Sequence, residues 1–66
     1  MRQEVTRFLC RDGGGGRVAI VEYQNLDASG KLSGPVERWT DQGESAEHVE
    51  GDTYRTGSGI TLVRIR

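Results

Sequence analysis

The segment Arg17-Val18-Ala19-Ile20-Val21-Glu22-Tyr23-Gln24 is the densest apolar run of the chain. It is rich in β-branched and aromatic residues, which favour a strand. Val18 and Ile20 fall on one face of that strand, and Val21 and Tyr23 fall on the other. A strand that is apolar on both faces is usually covered on both sides. We therefore predict that this segment is the central strand of a small sheet that curls over itself.

Length and composition limit the chain to one small domain. Its 66 residues are 33% hydrophobic and 29% charged. A chain this short buries a small fraction of its surface, so we expect a marginal core and low to moderate stability. The single cysteine, Cys10, cannot form an internal disulfide and fits a reducing compartment. No signal peptide and no apolar run of ~20 residues is found, so we predict a cytoplasmic protein that does not enter a membrane.

Shorter alternating segments flank the central strand. They are residues 4–11, 36–40, 45–50, 53–56 and 60–66. Short strands separated by turn residues indicate a sandwich or a small barrel. Closure leaves few exposed edges, which favours a barrel in a chain of this length. We predict an all-β fold over the single domain 1–66, a small, partly open, five- to six-stranded antiparallel barrel that is SH3-like.

Two irregular segments interrupt the strands. Asp12-Gly13-Gly14-Gly15-Gly16 lies between two predicted strands, so we predict a hairpin loop and not a phosphate-binding loop, which needs a helix after the glycines. Residues 25–35 are the longest irregular stretch, and we expect a long loop or a hairpin extension there. Pro35 cannot donate a ladder hydrogen bond, which suits the first residue of the strand that follows. We find no internal repeat.

The same alternation predicts which side chains are buried. The predicted core comprises Phe8, Cys10, Val18, Ile20, Val21, Tyr23, Val36, Trp39, Val49, Tyr54, Ile60, Leu62 and Val63. The lone tryptophan, Trp39, has a second interpretation, as an exposed aromatic beside Arg38 in a binding surface. Tyr54 beside Arg55 has the same composition, so both aromatics are core residues in one interpretation and binding residues in the other.

Charge is segregated along the chain, although the formal net charge is only −1. Residues 41–52 contain acidic side chains and no Lys or Arg, whereas arginine clusters towards the two ends. The simpler interpretation is that acidic and basic strands pair within the fold. The alternative is that the arginine-rich strands of one copy contact the acidic segment of another.

No catalytic or metal-binding constellation is found. Zinc requires about four ligands at fixed spacing, and the only soft ligands in the chain are Cys10 and His48. We expect Cys10 to behave as a small buried hydrophobe and His48 to be solvated among acidic residues. A redox or metal role for Cys10 is a weaker alternative. We therefore predict that the protein is not an enzyme and uses no metal and no cofactor.

Three segments carry a resemblance to known proteins: Phe8-Leu9-Cys10-Arg11-Asp12-Gly13, Asp52-Thr53-Tyr54 and Thr56-Gly57-Ser58-Gly59-Ile60-Thr61-Leu62. In these segments the chain resembles short, uncharacterised bacterial and prophage all-β proteins, which implies a bacterial or prophage origin and no mechanism. In strand count and loop placement it also resembles SH3-like small barrels. The Ala-Leu-Tyr-Asp-Tyr signature of peptide-binding SH3 domains is absent, so recognition of proline-rich peptides is not implied.

These features favour a binding protein. We predict a non-enzymatic protein-interaction module: an adaptor, an inhibitor or a protein that binds a second copy of itself. The alternative is a nucleic-acid-binding barrel with an arginine stripe across neighbouring first and last strands, although affinity for phosphate is largely electrostatic and the net charge of −1 opposes it. The predicted binding residues are Arg7, Arg11, Arg17, Arg38, Trp39, Tyr54, Arg64 and Arg66.

Overall fold

Six antiparallel β-strands make up the fold. The computed structural model describes residues 1–65, and these contain no helix. The strands are β1 (Arg2–Arg11), β2 (Arg17–Leu26), β3 (Leu32–Thr40), β4 (Ala46–Glu50), β5 (Thr53–Thr56) and β6 (Thr61–Arg64). They form one sheet in the order β3-β2-β1-β6-β5-β4. Among residues 1–65 there is accordingly no helix long and apolar enough to cross a membrane.

The sheet curls into a barrel that is nearly closed. Its two ends, β3 and β4, are consecutive in the chain and meet only at the turn that joins them, through a bridge between Trp39 and Ser45. The amide of Thr40 donates to the carbonyl of Glu44 at 2.7 Å in the same turn. Beyond this turn the seam between β3 and β4 is unsealed. The predicted all-β, partly open antiparallel barrel is therefore confirmed.

The barrel interior is small and apolar. Its core consists of Phe8, Cys10, Ile20, Tyr54 and Leu62, with Val18 and Ala46 packed against it. Phe8 faces Ile20 across β1 and β2, and Tyr54 faces Leu62 across β5 and β6. Each of these pairs places two apolar side chains on the same, inward side of the sheet. The core therefore follows the period-two alternation of the strands.

Four residues predicted in the core are exposed instead. Val36, Val49, Ile60 and Val63 have exposed fractions of 40–48%. Val63 follows the buried Leu62 on β6 and so points outward. Ile60 belongs to a loop, and Val49 lies at an irregularity of β4. Val36 lies in the part of β3 that extends beyond the barrel.

The long strands extend further than the apolar pattern predicts. β2 continues to Leu26 and β3 begins at Leu32, so residues 25–35 form the end of a hairpin with a short loop between the strands. Pro35 is not the first residue of β3. It lies beside Gly34, where the pairing of β2 with β3 shifts register, and this irregularity accommodates a residue without an N–H. The extension gives the molecule a long axis of 43 Å against 23 and 21 Å.

Four of the hairpin loops share one structure. They are Asp12-Gly13-Gly14-Gly15-Gly16, Asp27-Ala28-Ser29-Gly30-Lys31, Thr40-Asp41-Gln42-Gly43-Glu44 and Thr56-Gly57-Ser58-Gly59-Ile60. In each, the first amide donates to the fifth carbonyl at 2.7–2.9 Å. The side-chain oxygen of the first residue accepts from the fifth amide at 2.8–3.1 Å. The chain thus repeats a loop pattern, Asp/Thr-x-x-Gly-x, and the expectation of no internal repeat is wrong for these loops.

Candidate functional site

The outer face of the three long strands carries a row of side chains across β1, β2 and β3. Arg7 lies directly opposite Val21, which lies directly opposite Trp39. Residues that face each other across an antiparallel pair project to the same side of the sheet. The next residues along β1 and β2, Phe8 and Ile20, point into the barrel core. The row therefore points away from the core.

These side chains line an open groove of about 490 Å³. We call its lining the aromatic groove, which consists of Arg2, Arg7, Val21, Tyr23, Trp39, Thr40, Asp41 and Gly43. Three strands and one loop bring two aromatic rings and two guanidinium groups together there. Aromatic rings supply apolar contact area, and guanidinium groups supply directional donors for carboxylates.

Val21 forms the floor of the aromatic groove. It is only 3% exposed although it is not part of the barrel core. The reason is that Trp39 lies beside it on β3 and Arg7 lies beside it on β1. Trp39 itself is half-buried. Its ring therefore lies outside the barrel core, where it covers Val21 and also borders the groove.

Contacts with neighbouring side chains position both arginines of the groove. The guanidinium carbon of Arg2 lies 4.3 Å from the centroid of the Tyr23 ring, a cation–π contact. Arg7 Nη2 donates to Glu4 Oε1 at 3.1 Å. This hydrogen bond and the charge of Glu4 raise the pKa of Arg7 above its ordinary value. Exposed side-chain pairs of this kind add little stability. Their effect is to hold the guanidinium groups of Arg2 and Arg7 in place.

The indole nitrogen of Trp39 is an unused donor. Nε1 is enclosed and has no acceptor among the described residues. An enclosed donor without an acceptor costs about 1–3 kcal/mol.

The structure brings together only part of the predicted binding set. Arg7 and Trp39 line the aromatic groove. Arg11 and Arg17 lie directly opposite each other on the same outer face, beside the loop that joins β1 to β2. Neither forms an ion pair with a residue in the range 1–65. Arg66 lies outside the described residues.

Two other predicted binding residues lie on the inner side of the sheet. Tyr54 is 7% exposed and belongs to the barrel core, so its interpretation as an exposed binding aromatic is wrong. Arg38 lies opposite Glu22 and donates from Nε to Glu22 Oε2. Its guanidinium carbon is 6.0 Å from the centroid of the Tyr54 ring. Arg38 is therefore turned away from Trp39, its neighbour in the sequence.

Arg64 also departs from the predicted arginine stripe. Its strand, β6, is the neighbour of β1, as the stripe requires. Arg64 lies opposite Cys10, however, and therefore projects to the inner side. There its guanidinium carbon lies 4.5 Å from the centroid of the Phe8 ring. The outward-facing stripe is thus limited, among residues 1–65, to the arginines of β1 and β2.

Cys10 and His48 lie apart from the aromatic groove. Cys10 is fully buried, and this burial raises its pKa, while the charge of Arg64 acts in the opposite direction. The thiol is therefore the small buried hydrophobe that the sequence predicts. His48 is exposed, and its Nε2 lies 2.9 Å from the carbonyl oxygen of Gly51. No group of three or more His, Cys, Asp or Glu side chains suited to a metal ion is found in the described part of the chain.

Two residues that line the groove are not among the binding residues predicted from the sequence. Tyr23 is predicted in the core, yet it shares the outer face with Val21, two positions earlier on β2. Arg2 lies before the predicted start of β1. Between Glu4 and Thr6 the register of β1 shifts, so alternation counted back from Phe8 gives the wrong face for the first residues of the strand. The pairing of the strands was needed to place both side chains.

The fold and the groove define a small all-β barrel with an open, partly aromatic surface. No protein-family model, no curated protein and no solved structure matches the chain. The resemblances to short bacterial proteins and to SH3-like barrels therefore stay predictions.

Proposed function

We propose that the protein is a non-enzymatic protein-interaction module whose aromatic groove binds a segment of a partner protein in the cytoplasm. The observation that carries the proposal is the composition of the groove: Trp39 and Tyr23 stand beside Arg2 and Arg7 on an exposed sheet face. Trp, Tyr and Arg are enriched in protein interfaces and dominate their binding energy. The barrel core does not include any of these four side chains.

The chemistry of the groove favours a partner segment that carries a carboxylate close to an apolar side chain. Arg2 and Arg7 supply the positive charge, and guanidinium groups pair with carboxylates through two parallel hydrogen bonds. Val21 and the ring of Trp39 offer an apolar surface between them.

Trp39 is the only tryptophan of the chain, so its fluorescence reports directly on the groove. A short synthetic peptide of glutamate, leucine and phenylalanine should change the emission of Trp39 in a saturable manner. A peptide in which lysine replaces glutamate should not. Combining Arg2→Gln with Arg7→Gln should weaken the binding by about tenfold or more. Arg55→Gln, on the outer face of β5, is the matched control and should leave it unchanged.

Two outcomes would overturn the proposal. One is an emission that neither peptide changes in a saturable manner. The other is binding that Arg55→Gln weakens as much as the double substitution does, because the effect would then come from net charge and not from the groove.

A second candidate function is nucleic-acid binding, and one observation favours it. Arg7, Arg11 and Arg17 project from the same outer face of β1 and β2, next to the two half-buried rings of the groove. Fluorescence anisotropy with labelled single- and double-stranded DNA and RNA at about 50 mM salt tests it, because phosphate contacts are strongest at low salt. Binding that Arg11→Gln with Arg17→Gln abolishes would support this function, and no binding at that salt concentration would exclude it.

A further inference from the structure

A basic patch lies on the outer face of β1, β2 and β6, and we define it as Leu9, Arg11, Arg17, Val63 and Ile65. Leu9 and Val63 are 40% and 48% exposed, and the carbonyl of Leu9 accepts from the amide of Ile65 at 2.9 Å. Arg11 lies directly opposite Arg17 on one side and Val63 on the other. Like charges directly opposite each other destabilise a sheet. The patch is therefore an exposed apolar centre with two arginines that form no ion pair with a described carboxylate.

An acidic patch lies on the outer face of β4, and we define it as Glu47, Val49 and Glu50. Val49 is 45% exposed, and both glutamates are exposed. A register irregularity at Val49 brings Glu50 opposite Thr53, which is itself opposite Val63 and so on the outer side. Glu47 lies opposite Arg55, but no ion pair joins the two. This patch is an exposed apolar side chain between two carboxylates.

The two patches complement each other, and no ion pair joins them within one molecule among residues 1–65. In the strand order β3-β2-β1-β6-β5-β4, three steps separate β1 from β4. Thr53 and Val63 lie between Glu50 and Arg11 in one row across the strands, so at about 4.8 Å per strand the backbones of Glu50 and Arg11 are about 14 Å apart. Neither patch contains a residue of the aromatic groove.

We infer that the protein binds a second copy of itself, through contact between the basic patch of one copy and the acidic patch of the next. Val49 of one copy packs on Leu9, Val63 and Ile65 of the other, and the two glutamates face Arg11 and Arg17. Such a contact joins two different surfaces, and each copy keeps one unused patch. A contact between two different surfaces forms a ring if its rotation closes and an open chain if it does not, so association continues beyond the dimer.

The free strand edges are poor alternatives for this contact. On the side away from β2, β1 pairs with β6 at Cys10 and Arg11 and has no other described neighbour strand. This free edge of β1 is interrupted by the irregularity between Glu4 and Thr6. The outer edge of β3 contains Pro35. Irregularities and proline are devices that prevent edge-to-edge pairing of strands. Association through the side-chain faces is therefore favoured over association through the edges.

Sedimentation of the purified chain over a range of concentrations tests the inference. We expect the weight-average mass to rise with concentration and to pass the dimer mass at about 50 mM salt, and to return to the monomer at about 500 mM, where screening is strong. The exposed apolar area is small, so the contact should be weak and reversible. A monomer at every concentration at low salt, or a fixed dimer that does not depend on salt, would overturn the inference.

Charge-reversal variants identify the surfaces. Arg11→Glu with Arg17→Glu, and separately Glu47→Lys with Glu50→Lys, should each be monomeric alone at low salt. An equimolar mixture of the two variants should associate again, because each then presents a patch complementary to the other. Lys31→Glu, in a loop remote from both patches, is the control and should associate as the wild type does. Association of either double variant alone, or no recovery on mixing, would contradict the assignment, and circular dichroism checks that both variants are folded.

Discussion

Trp39 lies outside the barrel core, and its side chain affects the stability of the fold in two opposite ways. The ring covers Val21, which leaves only 3% of that valine exposed. Burial of this apolar area stabilises the fold. The indole N–H is enclosed without an acceptor among the described residues, which destabilises it. The residue thus contributes less to stability than its size indicates.

The substitution Trp39→Phe should leave the free energy of unfolding within about 1 kcal/mol of the wild type, because the lost area is offset by removal of the unsatisfied donor. Trp39→Ala also uncovers Val21 and should cost about 2 kcal/mol or more. Urea denaturation followed by circular dichroism measures both. A cost for Trp39→Phe as large as that for Trp39→Ala would show that the N–H is bonded after all.

Cys10 is buried in the core, and its burial raises the pKa of the thiol above the ordinary 9.0. The folded protein should therefore react with a thiol reagent far more slowly than the chain in denaturant, because only the exposed thiolate reacts. Folding favours the neutral thiol. Its contribution to stability is complete below the ordinary pKa and is lost as the pH rises through the raised pKa. Thiol labelling, and unfolding measured from pH 7 to 10 against Cys10→Ala, check both statements, and equal labelling rates would contradict them.

The four hairpin loops show how a short pattern shapes whole elements. The first side chain, Asp or Thr, accepts hydrogen bonds from loop amides that have no partner in the sheet. The glycine at the fourth position has a φ between 83° and 90° in each loop. A side chain disfavours this left-handed conformation. Each loop therefore reverses the chain by the same geometry and fixes the register of the strands on either side.

Gly15 and Gly13 allow a matched test within one loop. Gly15 has φ 86°, whereas Gly13 has no positive φ and no heavy atom within 4 Å of an added Cβ. Gly15→Ala should lower the free energy of unfolding by about 1–2 kcal/mol. Gly13→Ala should be neutral or stabilise by up to about 1 kcal/mol, because alanine restricts the unfolded chain. Thermal unfolding of both variants tests these two expectations. Equal effects of the two substitutions on stability would mean that the loop rearranges.

Stability of the whole molecule depends on very few side chains. The fully buried side chains are Ile20, Leu62 and Cys10. A domain of this length has a free energy of unfolding of only about 3–10 kcal/mol. Any ligand that binds only the folded chain would add to this value.

Substitutions at Leu62 and Leu32 test where that core is located. Leu62 is fully buried, whereas Leu32 is 45% exposed at the far end of β3. Leu62→Ala should cost about 2–5 kcal/mol, and Leu32→Ala should cost less than about 1 kcal/mol. Leu62→Val is a milder variant in case Leu62→Ala does not fold. Comparable losses at both positions would show that the strands beyond the barrel contribute to the core.

Much of the fold is readable from local pattern. The alternation in residues 17–24 predicts a strand that is apolar on both faces, and both Ile20 and Val21 are buried. That strand, β2, has a neighbour on each side, but it is the second strand from the end of the sheet and not a central one. The strand segments and the open barrel follow from the same reasoning. The candidate site was predicted only in part. Arg7 and Trp39 belong to it, but Arg2 and Tyr23 do not appear among the predicted binding residues. A register shift in β1 changes the face on which Arg2 lies. Tyr23 lies on the predicted face, but that face is open to solvent beside the groove and is not covered as the sequence predicts.

The sequence by itself determined the all-β class and the identity of most core residues, because these depend on side-chain polarity at period two. It also contained the Asp/Thr-x-x-Gly-x loops, which depend only on neighbours in the chain. The tertiary structure alone decided which arginines stand together, and which side of the sheet Trp39 and Tyr54 occupy. These outcomes depend on the pairing register between distant strands, and one irregularity such as that between Glu4 and Thr6 reverses the face of every residue beyond it.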